Sequence, residues 1–129
     1  MLNYFTIMLG GAIGTGARYW LSGIVAQRYG EFFPIGTLIV NITGCFVVGI
    51  FAGLTEPPSP VLISPTLRQF FMIGLCGGYT TFSSFGLQTL SLAESGEFLK
   101  AGLNAALSLA FCILAVWIGR TLAVAITQR

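Results

Sequence analysis

The sequence predicts an all-helical integral membrane protein with four transmembrane helices, of which the third is broken near the middle of the membrane. Of its 129 residues, 55% are hydrophobic and 8% are charged, and the mean hydropathy is +0.87. A soluble domain carries roughly 25% charged residues. The charges are clustered and leave four charge-free runs, at residues 1–17, 32–55, 69–93 and 101–119. Each run approaches the ~20 residues of a membrane helix, so four spans use up the chain as one transmembrane domain.

The first span is expected at about residues 2–22 and is rich in glycine. Gly10 and Gly14 lie one turn apart and allow close contact with a neighbouring helix. The segment has no basic leader and runs straight into Arg18, Tyr19 and Trp20, so we interpret it as a retained span and not a signal peptide.

The second span is expected at about residues 34–55 and begins at Pro34, a residue favoured in the first helical turn. The proline-rich segment that follows Glu56 ends it. Asn41 lies in the middle of this apolar span, where its amide needs a partner. Two interpretations stay open: a hydrogen bond that joins two helices, or a donor that lines a pore.

The third span, at about residues 65–93, contains poor helix-forming residues at its centre. Adjacent glycines are followed by hydroxyl-bearing residues, namely Gly77, Gly78, Thr80, Thr81, Ser83 and Ser84. We therefore predict a break at residues 77–81. Unpaired backbone groups at this depth persist only where protein, a wet cavity or an ion satisfies them, so the break indicates a functional site.

The fourth span is expected at about residues 97–125. Asn104, Ser108 and Cys112 recur every four residues and form a polar stripe on an otherwise apolar helix. Trp117 and Arg120 mark its far interface.

The residue types exclude several classes of function. The chain has no histidine, its four acids lie in predicted loops or at helix ends, and its three cysteines lack metal-ligand spacing. Enzymatic acid–base chemistry and proton-coupled transport therefore lack suitable residues, and no nucleic-acid partner is expected. Uncharged N–H and O–H donors beside phenyl rings, whose edges are positive, suit a small, strongly hydrated anion.

The positive charges give no orientation in the membrane. If the N-terminus is cytoplasmic, three positive charges lie inside, namely Arg68, Arg120 and Arg129. The other three lie outside, namely Arg18, Arg28 and Lys100. Balanced counts fit insertion in both directions with pairing as an antiparallel dimer. They also arise by chance in short chains.

Three sequence motifs resemble the Fluc (CrcB) family of fluoride channels. They are GGYTTFSSF at residues 77–85, GGAIGTGARY at residues 10–19 and GTLIVN at residues 36–41. The resemblance covers essentially the whole chain. It implies passive export of fluoride by an antiparallel, dual-topology homodimer in the bacterial inner membrane, with one structural sodium ion at the dimer centre.

The resemblance also implies roles for individual residues. Fluoride would be bound by the ring edges of Phe82 and Phe85, with Asn41 as a pore donor and Ser108, Thr81 and Ser84 along a polar track. Backbone carbonyls of Gly77 and Thr80 would bind sodium, and Arg18 would draw anions into a vestibule. Position 88 is Gln88, where many members carry glutamate, so a role that requires a carboxylate is not expected.

Two other classes of function compete with this interpretation. A small four-span multidrug exporter needs a membrane carboxylate in its first span, and residues 1–17 contain no acid. A non-transporting assembly subunit would explain the glycine-rich helices but not a polar break together with further polar stripes.

Overall fold

The computed structural model describes residues 1–57, 59 and 61–127, and all regular structure in these residues is helical. Pro58, Pro60 and Arg129, which entered the loop and charge predictions, lie outside the described residues. The helices are α1 (Leu2–Tyr29), α2 (Ile35–Thr55), α3 (Pro65–Gln69), the π-helix π1 (Phe70–Cys76), α4 (Gly77–Tyr79), α5 (Phe82–Glu94) and α6 (Phe98–Thr127).

Three helical segments of the described chain are long and apolar enough to cross a membrane. They are Ile35–Thr55, Pro65–Glu94 and Phe98–Thr127. This confirms an all-helical protein with membrane-spanning helices. Helix α1, at 28 residues, has the length to span but is not among the three, so the four-span arrangement stays a prediction.

Helix α1 extends beyond the predicted end of the first span. It continues to Tyr29 and stops where Gly30 adopts a positive φ of 77° and donates its N–H to the Ala26 carbonyl at 2.8 Å. A left-handed residue of this kind ends a helix and is best provided by glycine. The end of α1 is therefore set by one glycine and not by the polar residues that precede it.

The first half of the third span packs tightly against α1 through glycines. A Cβ on Gly10 would lie 2.7 Å from the Phe70 carbonyl oxygen, and one on Gly78 would lie 2.6 Å from the Gly11 carbonyl oxygen. A Cβ on Gly14 would lie 2.8 Å from the Tyr79 backbone nitrogen. Backbone contacts this close admit only glycine, which confirms the close contact predicted for Gly10 and Gly14.

Helices α2 and α6 form a second close-packed seam. Gly49 lies against the backbone of Val116, and a Cβ on Gly53 would lie 2.8 Å from the Arg120 carbonyl oxygen. Residues later in α2 contact residues later in α6, so the two helices run in the same direction. Each buries small residues in the contact.

The break in the third span is shorter than predicted. The backbone remains helical through Gly77 and Gly78 to Tyr79, and only Thr80 (φ −78°, ψ 158°) and Thr81 (φ −151°, ψ 112°) are extended. The two glycines do not break the helix; Gly78 is needed for close approach to α1. Part of the preceding segment is wound as a π-helix, Phe70–Cys76, which the sequence did not predict.

One end of the molecule carries a carboxylate shared by two arginines. A Glu56 oxygen lies 2.8 Å from Arg68 and the other lies 3.2 Å from Arg120. These contacts tie the end of α2 to the start of the third span and to α6. All three side chains are partly exposed, so each pair contributes only about 0–1 kcal/mol.

Candidate functional site

The break is held by Asn41 of α2. Its Oδ1 accepts a hydrogen bond from the Thr81 N–H at 2.7 Å, and its Nδ2 donates to the Thr81 carbonyl at 3.0 Å. The amide thus pairs both backbone groups of an extended, buried residue that has lost its helical partners. Of the two interpretations of Asn41, the contact between helices is the one seen in the chain, and one amide N–H stays available for a further acceptor.

Thr81 also starts the second half of the span. Its Oγ1 accepts from the Ser84 N–H at 3.2 Å and donates to Ser84 Oγ at 3.0 Å. A threonine that accepts from the third helical N–H is a standard N-cap. The two residues predicted for the polar track are therefore in direct contact at the N-terminus of α5.

Arg18 of α1 caps the other side of the break. Its Nε donates to the Gly78 carbonyl at 3.2 Å, and the Thr15 hydroxyl donates to the same oxygen at 3.3 Å. In an unbroken helix this carbonyl would accept from Phe82, four residues later. The guanidinium thus replaces a backbone donor, which is a structural role beside the vestibule role predicted from the sequence.

A third set of contacts joins α2 to the break. The Tyr79 and Thr43 hydroxyls lie 2.8 Å apart. Gly44 lies directly under Thr80, whose methyl group a Cβ at position 44 would meet. Helix α2 therefore touches the break through the Asn41 amide, the Thr43 hydroxyl and Gly44, all within one turn.

A groove of about 1020 Å³ opens between α1, α2 and α5, with the break at its inner end. Helix α5 lines it with a stripe of uncharged polar side chains, namely Thr81, Ser84, Gln88, Ser91 and Ser95. Arg18 faces this stripe from α1, and Glu31 in the loop after α1 is the other charged residue among those lining the groove. The α5 stripe itself contains no carboxylate and can offer hydroxyl and amide donors to an anion.

The stripe of polar residues on α5 was not identified as one feature in the sequence. The intervals from Thr81 to Ser95 alternate three and four residues, which is the period of one helix face. That periodicity is the signal that would have identified it. Gln88 stands out, because its Oε1 is buried and has no hydrogen-bond partner among the described residues.

The predicted fluoride ligands do not meet in one place within the chain. The Phe82 and Phe85 rings are neighbours, with centroids 5.2 Å apart and planes inclined by 47°. Phe82 is 83% exposed and neither ring lines the groove. Ser108 is buried on α6, away from the groove. Arg18, Thr81 and Ser84 are brought together at the groove; the phenylalanines and Ser108 are not.

Asn104, the first residue of the polar stripe on α6, has a hydrogen-bond partner on α5. Asn104, only 2% exposed, donates its Nδ2 to Thr89 Oγ1 at 2.8 Å. Thr89 in turn donates to the Phe85 carbonyl at 2.7 Å. Asn104 therefore joins α6 to α5, whereas Ser108, one turn later, makes no hydrogen bond within the described chain.

Comparison with known proteins gives a consistent result over the full length of the chain. The sequence model of the family described as "CrcB-like protein, Camphor Resistance (CrcB)" matches residues 5–120. The "Fluoride-specific ion channel FluC" of Methylocella silvestris is 50% identical over 127 residues, which cover 98% of this chain and 97% of that protein.

Two further relatives carry the same name. The protein of Rhodospirillum rubrum is 52% identical over 127 residues, covering 98% of each chain. That of Opitutus terrae is 52% identical over 128 residues, covering 99% of this chain and 97% of the relative.

Proposed function

Because the chain belongs to the CrcB-like family, we infer that it is a fluoride-specific ion channel and not an enzyme. The strongest structural support is the uncharged polar wall of α5, which ends at a helix break in the middle of an apolar span. Hydroxyl and amide donors replace the water shell of a small anion, and the absence of a carboxylate from this wall avoids repelling it.

Arg18 provides the positive charge of the groove. Its Nε is engaged by Gly78, so the terminal N–H groups of the guanidinium remain as donors toward the groove that the residue lines. A fixed cation in a low-dielectric cleft raises the local concentration of anions. Arg18 then holds the break and draws fluoride toward it.

The phenyl ring edges of Phe82 and Phe85 provide the narrow part of the path. Rings have a positive edge, which binds an anion without a counter-charge. The two rings begin α5 directly after the break, so fluoride passes from the hydroxyls of Thr81 and Ser84 to the rings. The free N–H of Asn41 and the Ser108 hydroxyl complete the donor set.

A second copy of the chain completes the path, in an antiparallel homodimer with both insertion directions. The support is the separation of the site residues in one chain: Phe82 is 83% exposed at the level of the break, and the groove holds only part of the donor set. Cross-linking in native membranes tests the dimer. A tag on the N-terminus that is accessible from one side alone would contradict dual topology.

Sodium fits the carbonyls at the break. The helical partner of the Gly77 carbonyl would be the Thr81 N–H, which instead donates to Asn41. Thr80 is extended, so its carbonyl lies outside the helical ladder. Oxygen donors suit a hard cation, and two copies of the chain would provide both carbonyls twice. Sodium should raise the unfolding temperature of the dimer above that in potassium, and equal temperatures would contradict the site.

The function in the cell is passive export across the inner membrane. Hydrogen fluoride is a weak acid that crosses lipid and dissociates at cytoplasmic pH, which traps fluoride inside. The membrane potential, worth about 2.3 kcal/mol per charge at 100 mV, then drives the anion out through an open pore. This lowers fluoride toxicity without direct coupling to ATP hydrolysis.

Fluoride release from liposomes that contain the purified chain tests this function. Wild-type protein should release fluoride rapidly, and Phe82→Ile should slow release while dimers persist on size exclusion. Leu90→Ile is the matched control, because Leu90 is an exposed residue of the same helix that does not line the groove. Equal release by all three proteins would overturn the role of the rings, and no fluoride release by wild type would overturn the function.

A further inference from the structure

The seam between α2 and α6 brings two cysteines of distant sequence to the same depth. Gly49 lies beside Val116, and Gly53 lies beside Arg120. Four residues earlier in each helix, the same register pairs Cys45 with Cys112. This register places the two side chains at the same depth of the seam, and they are close enough for an electrostatic interaction.

The third cysteine is close by but differs in exposure. Cys76 of π1 is near enough to Cys45 for an electrostatic interaction and is only 6% exposed. Cys45 and Cys112 are both half-buried. The described residues contain no group of three or more histidine, cysteine or acidic side chains arranged for a metal, so any metal site here has two protein ligands.

We propose that Cys45 and Cys112 form a two-thiolate binding site for a soft divalent cation of the mercury(II) type, which bridges α2 and α6. Thiolates prefer soft metals, and mercury(II) accepts two sulfur ligands in a linear arrangement. Two S–H bonds and two Hg–Cl bonds break and two S–Hg bonds form. Two protons and two chloride ions go to solvent, with no change in oxidation state. The complex is neutral, which matters in an apolar seam because a net charge there would be costly.

Copper(I) and silver(I) fit this pair less well. Two thiolates with a monovalent cation leave one negative charge in the membrane. The runs 32–55 and 101–119, which contain the two cysteines, carry no charged residue to balance it. Charge balance therefore selects a divalent ion, and the half-buried thiols give it access from the lipid side as the neutral chloride. Nothing in this site depends on conduction of fluoride.

Intact-mass measurement of the full chain in detergent, after incubation with one equivalent of mercury(II) chloride, tests the proposal. A bridged site adds one mercury atom and loses two protons, whereas a single thiol keeps a chloride and loses one proton. Wild type and Cys76→Ser, the matched control, should give the bridged mass. Cys45→Ser and Cys112→Ser should give only the chloride-containing adduct.

Several outcomes would overturn the site. They are a chloride-containing adduct on wild type, a bridged mass that persists in Cys45→Ser, or mercury that links two chains covalently. Helical circular dichroism and size exclusion establish that each variant is folded. Cys45→Ala and Cys112→Ala provide a second pair of variants without a hydroxyl, and they should behave as the serine variants do.

Discussion

The substitution Asn41→Leu removes the side chain that pairs with the broken backbone. Two hydrogen bonds of 2.7 and 3.0 Å are lost, and the N–H and carbonyl of buried Thr81 are left without partners. An unsatisfied buried group costs about 1–3 kcal/mol, so the free energy of unfolding should fall by about 2–6 kcal/mol.

Asn104→Leu is the matched control for this prediction. Asn104, like Asn41, is an asparagine within an apolar helix, but its side chain makes only one hydrogen bond among the described residues, to the Thr89 hydroxyl. That hydroxyl keeps its own bond to the Phe85 carbonyl, so no backbone group is orphaned and the loss should be about 1 kcal/mol.

The two variants are compared by reversible unfolding in mixed detergent, followed by circular dichroism. The free energy of unfolding of Asn41→Leu should lie about 1–5 kcal/mol below that of Asn104→Leu, and Asn41→Leu should release fluoride more slowly from liposomes. Equal destabilisation by the two substitutions would refute the reasoning, because it would mean that the break does not depend on the amide.

Three further predictions concern packing and charge. Gly14→Ala should lower the free energy of unfolding by about 1–3 kcal/mol, because a Cβ would meet backbone atoms of the third span. Gly16 has open space around it, so Gly16→Ala should be neutral in the same unfolding assay. Equal losses in the two variants would contradict the close contact at Gly14. Glu56→Gln should lower the free energy of unfolding by less than about 2 kcal/mol, and the loss should shrink at high salt. Fluoride release should be unchanged, because the Glu56 cluster lies outside the path; lost release would contradict this. Arg18→Lys should retain more fluoride release at low ionic strength than Arg18→Gln, and salt should reduce the difference; identical rates at all salt concentrations would exclude an electrostatic role.

Composition and spacing predicted much of the helical framework. Long charge-free runs gave the positions of the apolar helices, and Gly10 and Gly14 indicated a close helix contact that the structure confirms. The third span begins with a local signal, a serine cap followed by proline in the first turn: Ser64 Oγ accepts from the Leu67 N–H at 3.2 Å, and Pro65 follows it. These features are local, and local chemistry determines them.

The details of the break depended on contacts between distant parts of the chain. Gly77 and Gly78 are poor helix formers, yet both remain helical, and α1 packs closely against Gly78. The extended residues are Thr80 and Thr81, and Asn41 of α2 pairs with the backbone of Thr81. Asn41 and Thr81 are forty residues apart, and neither helix propensity nor hydrophobic periodicity indicates that they pair. The π-helix also contacts α1 through Gly74, a tertiary contact that residue propensities do not encode.

The most direct measurement is the release of different anions from liposomes that contain the purified protein. Fluoride and chloride are loaded in equal amounts, and efflux is started with a potassium ionophore. A path lined by uncharged donors and ring edges should release fluoride rapidly and chloride negligibly. Equal release of both anions would contradict fluoride selectivity and with it the function inferred for this chain.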